Sequence, residues 1–151
     1  MNIKILFPAV AVGILLFMGI YFLVNPSYQK SIEAKYHYEM GHYKEAYTLA
    51  NEAFSLDVYN RMASTIMAQS QTSLKYVAYI NQAKEYMTTI NEIAKSDTIS
   101  DAQRAKIKMM SEIVVDSYTK LAPSVITNQD LVKEAASYHA NFEKLLEKVT
   151  K

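Results

Sequence analysis

The residues best suited to chemistry are few. His37 and His42 stand five apart, with Glu39 and Glu45 close by in sequence. Imidazoles and carboxylates together can hold a transition metal. A separation of five, however, does not align two ligands on one helix face, and Gly41 between them reads as a turn. Solvated turn histidines are expected. Glu143 and Glu147 do share a helix face, but Lys144 and Lys148 surround them. That predicts a solvated charged surface rather than a carboxylate pair poised for acid–base work. There is no cysteine, hence no thiol nucleophile and no disulfide, and no glycine-rich phosphate loop. The expectation is a chain that is not an enzyme and carries no cofactor or metal.

What the sequence offers instead is tyrosine, 12 residues with no tryptophan, and eight methionines. Tyr36, Tyr38, Tyr43, Tyr47 and Tyr59 crowd one short stretch. In a groove such side chains are anchors for a protein partner; ordinary interhelix packing is the competing use. Tyr36 and Tyr38 are two apart and cannot both face one side of a helix. One of them is therefore expected at the surface.

The elements that position these residues begin with an apolar run, Ile5–Val24, 20 residues without a charge. At about 1.5 Å per residue it reaches roughly 30 Å, the thickness of a bilayer's hydrocarbon core. A cleaved signal peptide is the alternative, but its apolar core is shorter, about 7–15 residues, and a small-residue cleavage site is missing here. Pro8 lies near the start, where a missing N–H costs least. Gly13 and Gly19 do not form the Gly-x-x-x-Gly dimer motif. The run is expected to stay in lipid as an anchor. Lys30, Lys35 and Lys44 follow it and Lys4 precedes it, so the lysine count does not favour an inside amino end. A very short basic tail ahead of a signal-anchor nevertheless usually stays cytoplasmic. The expected placement is a single-pass bacterial inner-membrane protein with its remainder in the periplasm.

Residues 1–25 thus form a tail and anchor, and residues 26–151 one domain. That domain is formally neutral, with 15 acidic residues against 15 basic ones once Lys4 is set aside. It lacks the basic stripe that nucleic acid requires. After the anchor, glycine occurs only at Gly41 and proline only at Pro26 and Pro123, which predicts an all-α domain. Asn25-Pro26 reads as a helix start, unless the anchor runs through with a kink. Helices are expected over about Pro26–Met40, with Tyr28, Ile32 and Tyr36 along one face, and Tyr43–Ser55, with Ala46, Leu49, Ala50, Ala53 and Phe54 on one face. Gly41 separates them into an antiparallel hairpin.

From Asp57 to Ala94 two stripes appear, Tyr59-Met62-Ala63-Ile66-Met67 and Leu74-Val77-Ile80-Ala83-Met87-Ile90-Ala94. The helix-weak Ser70-Gln71-Thr72-Ser73 between them predicts a turn, one long bent helix being the alternative. Ser96–Ser100 reads as a loop, and Ser100 with Gln103 as a capping box opening a helix to about Leu121, with Ile107, Met110, Val114 and Leu121 facing inward. Pro123 forbids continuation. Thr127 with Asp130 resembles a second cap. The last helix, to about Val149, carries the stripe Leu131, Ala135, Tyr138, Phe142, Leu145 and Val149. The total is about six soluble helices.

Gly41, Tyr43, Ala46, Ala53 and Asp57, with Ala34 upstream, carry a resemblance. The segment Gly41–Asp57 resembles the second half of a tetratricopeptide repeat, a family with Gly-x-Tyr-x-x-Ala at the turn, alanine seven residues further and an acidic residue at the close. Departures are Lys30, Glu33, His37, Ala50 and Val58, where the family favours bulkier residues or proline. Tyr59–Lys95 matches only in helical period and Ala83, and the third pair shows no signature. The resemblance implies stacked antiparallel hairpins with a concave surface that holds peptides or helices of other proteins; an unrelated helical bundle is the alternative. The function expected is an adaptor or chaperone for another membrane or envelope protein. The alternative is a stoichiometric subunit of an envelope complex, such as a flagellar motor or secretion machine. The partners are then protein, with the bilayer contacted through residues 5–24.

Overall fold

The computed structural model describes residues 3–96, 98–124 and 127–150, with side chains from Leu6 onward. Met1, Asn2 and the side chain of Lys4, in the expected tail, and Asp97, in the expected loop, lie outside the described residues. Among the described residues there are six helices and no strand: α1 Ile3–Val24, α2 Pro26–Glu39, α3 Tyr43–Leu56, α4 Arg61–Ile93, α5 Asp101–Tyr118 and α6 Gln129–Thr150. The chain is all-α. It divides into two compact units, one ending at Ser70 and one beginning at Gln71, and α4 runs through the division.

α1 is 22 residues long, about 33 Å at helical rise. Its stretch Leu6–Val24 is long and apolar enough to cross a membrane, and none of it is buried within the chain. The helix stops at Asn25, whose extended backbone (φ −75°, ψ 116°) takes the chain out of α1 and into α2. The Asn25 side chain accepts the Ser27 N–H at 2.9 Å, and Pro26 occupies the first helical position, where its missing N–H costs nothing.

In the first unit α2 and α3 form the expected hairpin. Gly41 has φ +79°, the left-handed conformation that closes a helix. The His42 N–H reaches the His37 carbonyl at 2.9 Å and the Gly41 N–H the Tyr38 carbonyl at 3.0 Å. These are the two bonds of a Schellman stop, and they satisfy carbonyls that the helix end would otherwise leave open. Ala34 of α2 meets Ala46 and Ala50 of α3 and Ile66 of α4, with Tyr38, Leu49 and Met67 packed around them. Alanine contact surfaces bring the backbones close but remove little area from water. Fully burying Ile66 is worth only about 2–3 kcal/mol, so this core is thin.

A buried hydrogen-bond network supplements it. Asn60 sits immediately before α4, and its side-chain oxygen accepts the Ala63 N–H at 3.1 Å, the bond of a helix N-cap. Its amide nitrogen donates to Ser27 Oγ at 2.8 Å and to Ser31 Oγ at 2.7 Å. Ser27 Oγ in turn donates to the Ala53 carbonyl at 2.8 Å, and Ser31 Oγ to the Ser27 carbonyl at 2.9 Å. Asn60, Ser27 and Ser31 are all buried. The three first-unit elements α2, α3 and the start of α4 are thereby tied by a network in which both amide hydrogens find acceptors.

Two expectations are corrected in α4. The helix begins at Arg61, after an Asp57–Asn60 turn in which Asp57 accepts the Tyr59 N–H at 2.9 Å; Tyr59 lies outside the helix and outside the core. No turn interrupts Ser70–Ser73. One 33-residue helix replaces the expected pair, so five helices, not six, follow α1. Serine and threonine disfavour a helix interior by only a few tenths of a kcal/mol each. Ser70 and Ser73 are moreover buried, small enough to serve at helix contacts where a larger side chain would not fit.

The second unit packs the rest of α4 with α5 and α6 around Tyr76, Tyr79, Ile80, Ala83, Ile90, Ile107, Met110, Val114, Ala135 and Phe142. The capping box at Ser100 and Gln103 forms with both of its bonds. Stacking of Tyr118 on His139 (4.2 Å between ring centres) and a surface shared by Val115, Ala140 and Glu143 make α5 and α6 antiparallel neighbours. The second cap is corrected. Asn128, not Thr127, opens α6 by accepting the Asp130 N–H at 2.9 Å. Thr127 is buried, and its hydroxyl accepts the Ser124 N–H instead, at 2.9 Å.

Candidate functional site

The tyrosines of the first unit do not share one surface. Tyr43, at the start of α3, is in the core, and Tyr38 packs edge-on against it with ring centres 5.4 Å apart. Tyr47 is half-buried. Tyr36 is 60% exposed and Tyr59 88% exposed, but they sit at opposite ends of the hairpin. Tyr36 is in the last turn of α2, beside the Gly41 stop. Tyr59 follows α3 and is next to Asn60, whose partner Ser27 lies in the first turn of α2.

Instead, a continuous apolar row runs along α2. Its inward face is small and polar, formed by Ser27, Ser31 and Ala34. The outward face therefore carries the bulk. Tyr28, Ile32, Tyr36 and Met40 follow one another at intervals of four, which places them on one helix face. Tyr28 is half-buried and meets Phe22 of α1 edge-on, 4.6 Å between ring centres. Ile32, Tyr36 and Met40 are each more than half exposed. The first three of these four were legible as a face from their spacing; that the face is outward required knowing that serines occupy the inner one.

The row borders a groove of about 310 Å³ between α2 and the start of α4, lined by Lys35, Tyr38, Glu39, Met62, Thr65, Ile66 and Gln69. Lys35 is three residues after Ile32 and Glu39 three after Tyr36, so the groove's polar rim and the apolar row are adjacent. The surface is a mix of exposed aromatic and aliphatic side chains with one cation and one anion at its edge. It can bury an apolar helix face or an extended segment and orient it by charge.

His37 meets Tyr36 of this row edge-on, 5.7 Å between ring centres. The rings of His37 and His42 are 5.7 Å apart, and His37 Nδ1 is buried without a hydrogen-bond partner among the described residues. No group of three or more His, Asp or Glu able to hold a metal occurs among the described residues. Glu143 lies 3.6 Å from His139 on α6, and with Lys144 and Glu147 it lines an open surface. Among the described residues, Tyr79 is an ionisable group buried in the second unit's core. Burial pushes its phenol up to about 12, with a smaller contribution from Tyr118, and its hydroxyl has no partner among the described residues. It is enclosed by packing rather than presented to a ligand.

Set beside protein-family models, characterised proteins and solved structures, the chain matches none of them.

Proposed function

We propose that the protein is a membrane-anchored interaction module, without enzymatic activity, that holds another membrane or envelope protein beside the bilayer as an adaptor or chaperone. The observation that carries this reading is the outward row Ile32, Tyr36 and Met40 on α2, exposed apolar bulk at helical spacing beside the groove that contains Tyr38. Large apolar side chains arranged in a row, rather than scattered, mark contact surfaces, and a row at intervals of four is matched by the apolar face of a partner helix. The resemblance of Gly41–Asp57 to a tetratricopeptide hairpin supports the same reading. α1 supplies the anchor and Lys4 flanks it; the helical units then lie on the periplasmic side of a bacterial inner membrane. An inactive alkaline phosphatase fused after Lys151 would overturn that side.

Site-specific photocrosslinking tests the proposal. A crosslinker at Ile32 or Tyr36, in cells or in mild-detergent extracts, is expected to give discrete protein adducts, whereas one at the exposed Asn51 of α3 is not. Adducts in fixed stoichiometry with the whole population of the chain would favour the structural-subunit reading over an adaptor. No adduct from either α2 position overturns both.

A further inference from the structure

The turn between α3 and α4 is apolar and exposed. Leu56 and Val58 are each more than half exposed and Tyr59 is 88% exposed, although the neighbouring Asp57 and Asn60 are engaged in capping bonds. Three such side chains together leave apolar area open to water unless something covers them.

Its position is fixed by hydrogen bonds rather than by proximity in sequence. Asn60 donates to Ser27 Oγ at 2.8 Å, and Ser27 Oγ donates to the Ala53 carbonyl at 2.8 Å. Asn60, at the end of the turn, and Ala53, three residues before Leu56, are therefore both tethered to Ser27, which is three residues beyond Val24, the last residue of α1. One extended residue and two helical ones span about 6–7 Å. The headgroup zone on each side of a bilayer is about 5–7 Å deep. If α1 spans the membrane, then Ser27 lies within that zone and the turn is tethered beside it. Tyr21 and Tyr28 flank the same level, with ring centres 6.4 Å apart, and Asn25 Nδ2 donates to Tyr21 Oη at 3.1 Å. Tyrosines with an apolar body and a polar tip collect at the membrane–water boundary, and Arg61 follows the turn directly, where a lipid phosphate could meet it.

We infer that Leu56, Val58 and Tyr59 form a second membrane contact, a turn that seats in the headgroup–acyl boundary of the leaflet from which α1 emerges. It rests on the reading of α1 as a bilayer-spanning anchor. The occupant is lipid, because the turn is tethered through Ser27 to the residues that directly follow that helix. The consequence is that the α2–α3 hairpin is held at two points on the membrane, not swung from one, so its far end and the row on α2 keep a defined height above the bilayer.

The chain has no tryptophan, so single tryptophans serve as depth probes in the full chain reconstituted into phosphatidylcholine–phosphatidylglycerol vesicles. Three variants are compared: Leu16→Trp within α1, Tyr59→Trp in the turn, and Met40→Trp at the far end of the hairpin. Lipids brominated near the bilayer midplane are expected to quench the first. Lipids brominated near the headgroup are expected to quench the second and shift its emission to the blue, and to leave the third unchanged. Val58→Trp repeats the turn measurement from a second position, and circular dichroism verifies helix content in each variant. Quenching at Leu16 with none at Tyr59 or Val58 overturns the inference and leaves the anchor intact. Equal quenching at Met40 overturns the two-point seating and the defined height, because the hairpin then lies flat. Absence of quenching at Leu16 removes the anchor itself.

Discussion

The side-chain amide of Asn60 donates to the hydroxyl of Ser31, 29 positions away, across 2.7 Å. The same side chain caps α4 through Ala63, so one residue both starts a helix and locks it to α2. Asn60→Ala removes the cap, worth about 1 kcal/mol, and leaves Ser27 and Ser31 short of a buried partner, worth about 1–3 kcal/mol. The expected loss is about 2–4 kcal/mol of first-unit stability, read by urea denaturation in mild detergent. Asn60→Asp keeps the cap but replaces the two donated bonds with acceptor oxygens facing acceptors, and is expected to be destabilising as well. A variant within about 0.5 kcal/mol of the parent would show that the network contributes little.

The Gly41 stop makes a narrower prediction. A Cβ there meets nothing within 4 Å, so Gly41→Ala incurs only the left-handed backbone conformation at φ +79°. That costs about 1–2 kcal/mol, and Gly41→Asn is expected to lose less, since asparagine tolerates that region. Thermal unfolding followed by circular dichroism orders the three proteins. A Gly41→Ala melting point equal to the parent's contradicts the assignment.

Much of this architecture was legible because caps and breakers are local. Asn25-Pro26, Gly41 and Ser100 with Gln103 each act through bonds within a few residues, and each stands where its spacing placed it. What was hidden depends on distant partners. Asn60 looks like any turn asparagine until Ser27 and Ser31 are brought to it. Tyr76 and Tyr79 fall outside the aliphatic stripe of α4, yet they are in the core of the second unit, because α5 and α6 both pack against that part of α4 and use more than one face. The polar Ser70–Ser73 stretch looked like a turn on propensity, but burial against neighbours overrides such small differences. The tyrosine cluster of the first hairpin mixes core and surface positions, which its spacing did not separate.

Buried serines whose hydroxyls find no acceptor invite substitution. Ser70 Oγ and Ser111 Oγ are buried without hydrogen-bond partners among the described residues. Alanine removes an unsatisfied hydroxyl and has the better helix propensity, so Ser70→Ala and Ser111→Ala are each expected to stabilise by about 0.5–1 kcal/mol. Urea midpoints that move downward would mean that each hydroxyl has a partner, for example a bound water.

Charge placed on the outward row of α2 separates folding from binding. Ile32 and Tyr36 are more than half exposed, so Ile32→Glu and Tyr36→Glu are expected to change stability by no more than about 0.5 kcal/mol. Both should abolish the photoadducts formed from neighbouring α2 positions, since a desolvated charge at an apolar contact costs several-fold in affinity. Unfolding of either variant would instead place the row inside the protein's own core.

The phenol of Tyr79 gives the chain an alkaline limit. Its ordinary value of 10.0 rises to about 12 through burial, so the folded state holds the proton more tightly than the unfolded state. The contribution is fully present below pH 10.0 and is lost as pH rises from there toward about 12. Lys30 and Lys84, raised by their hydrogen bonds to Glu52 and Glu134, act in the same direction. Tyr79→Phe keeps the ring, its tilted contact with Tyr118 at 5.8 Å between ring centres and the packing, and deletes a hydroxyl that has no partner among the described residues. The variant is expected to be at least as stable as the parent at neutral pH and to lose less stability on going to alkaline pH. The slope left by the two lysines should remain. Melting temperatures against pH, with phenolate absorbance read in parallel, check this. If parent and variant fall along the same curve, then the alkaline sensitivity belongs to other groups.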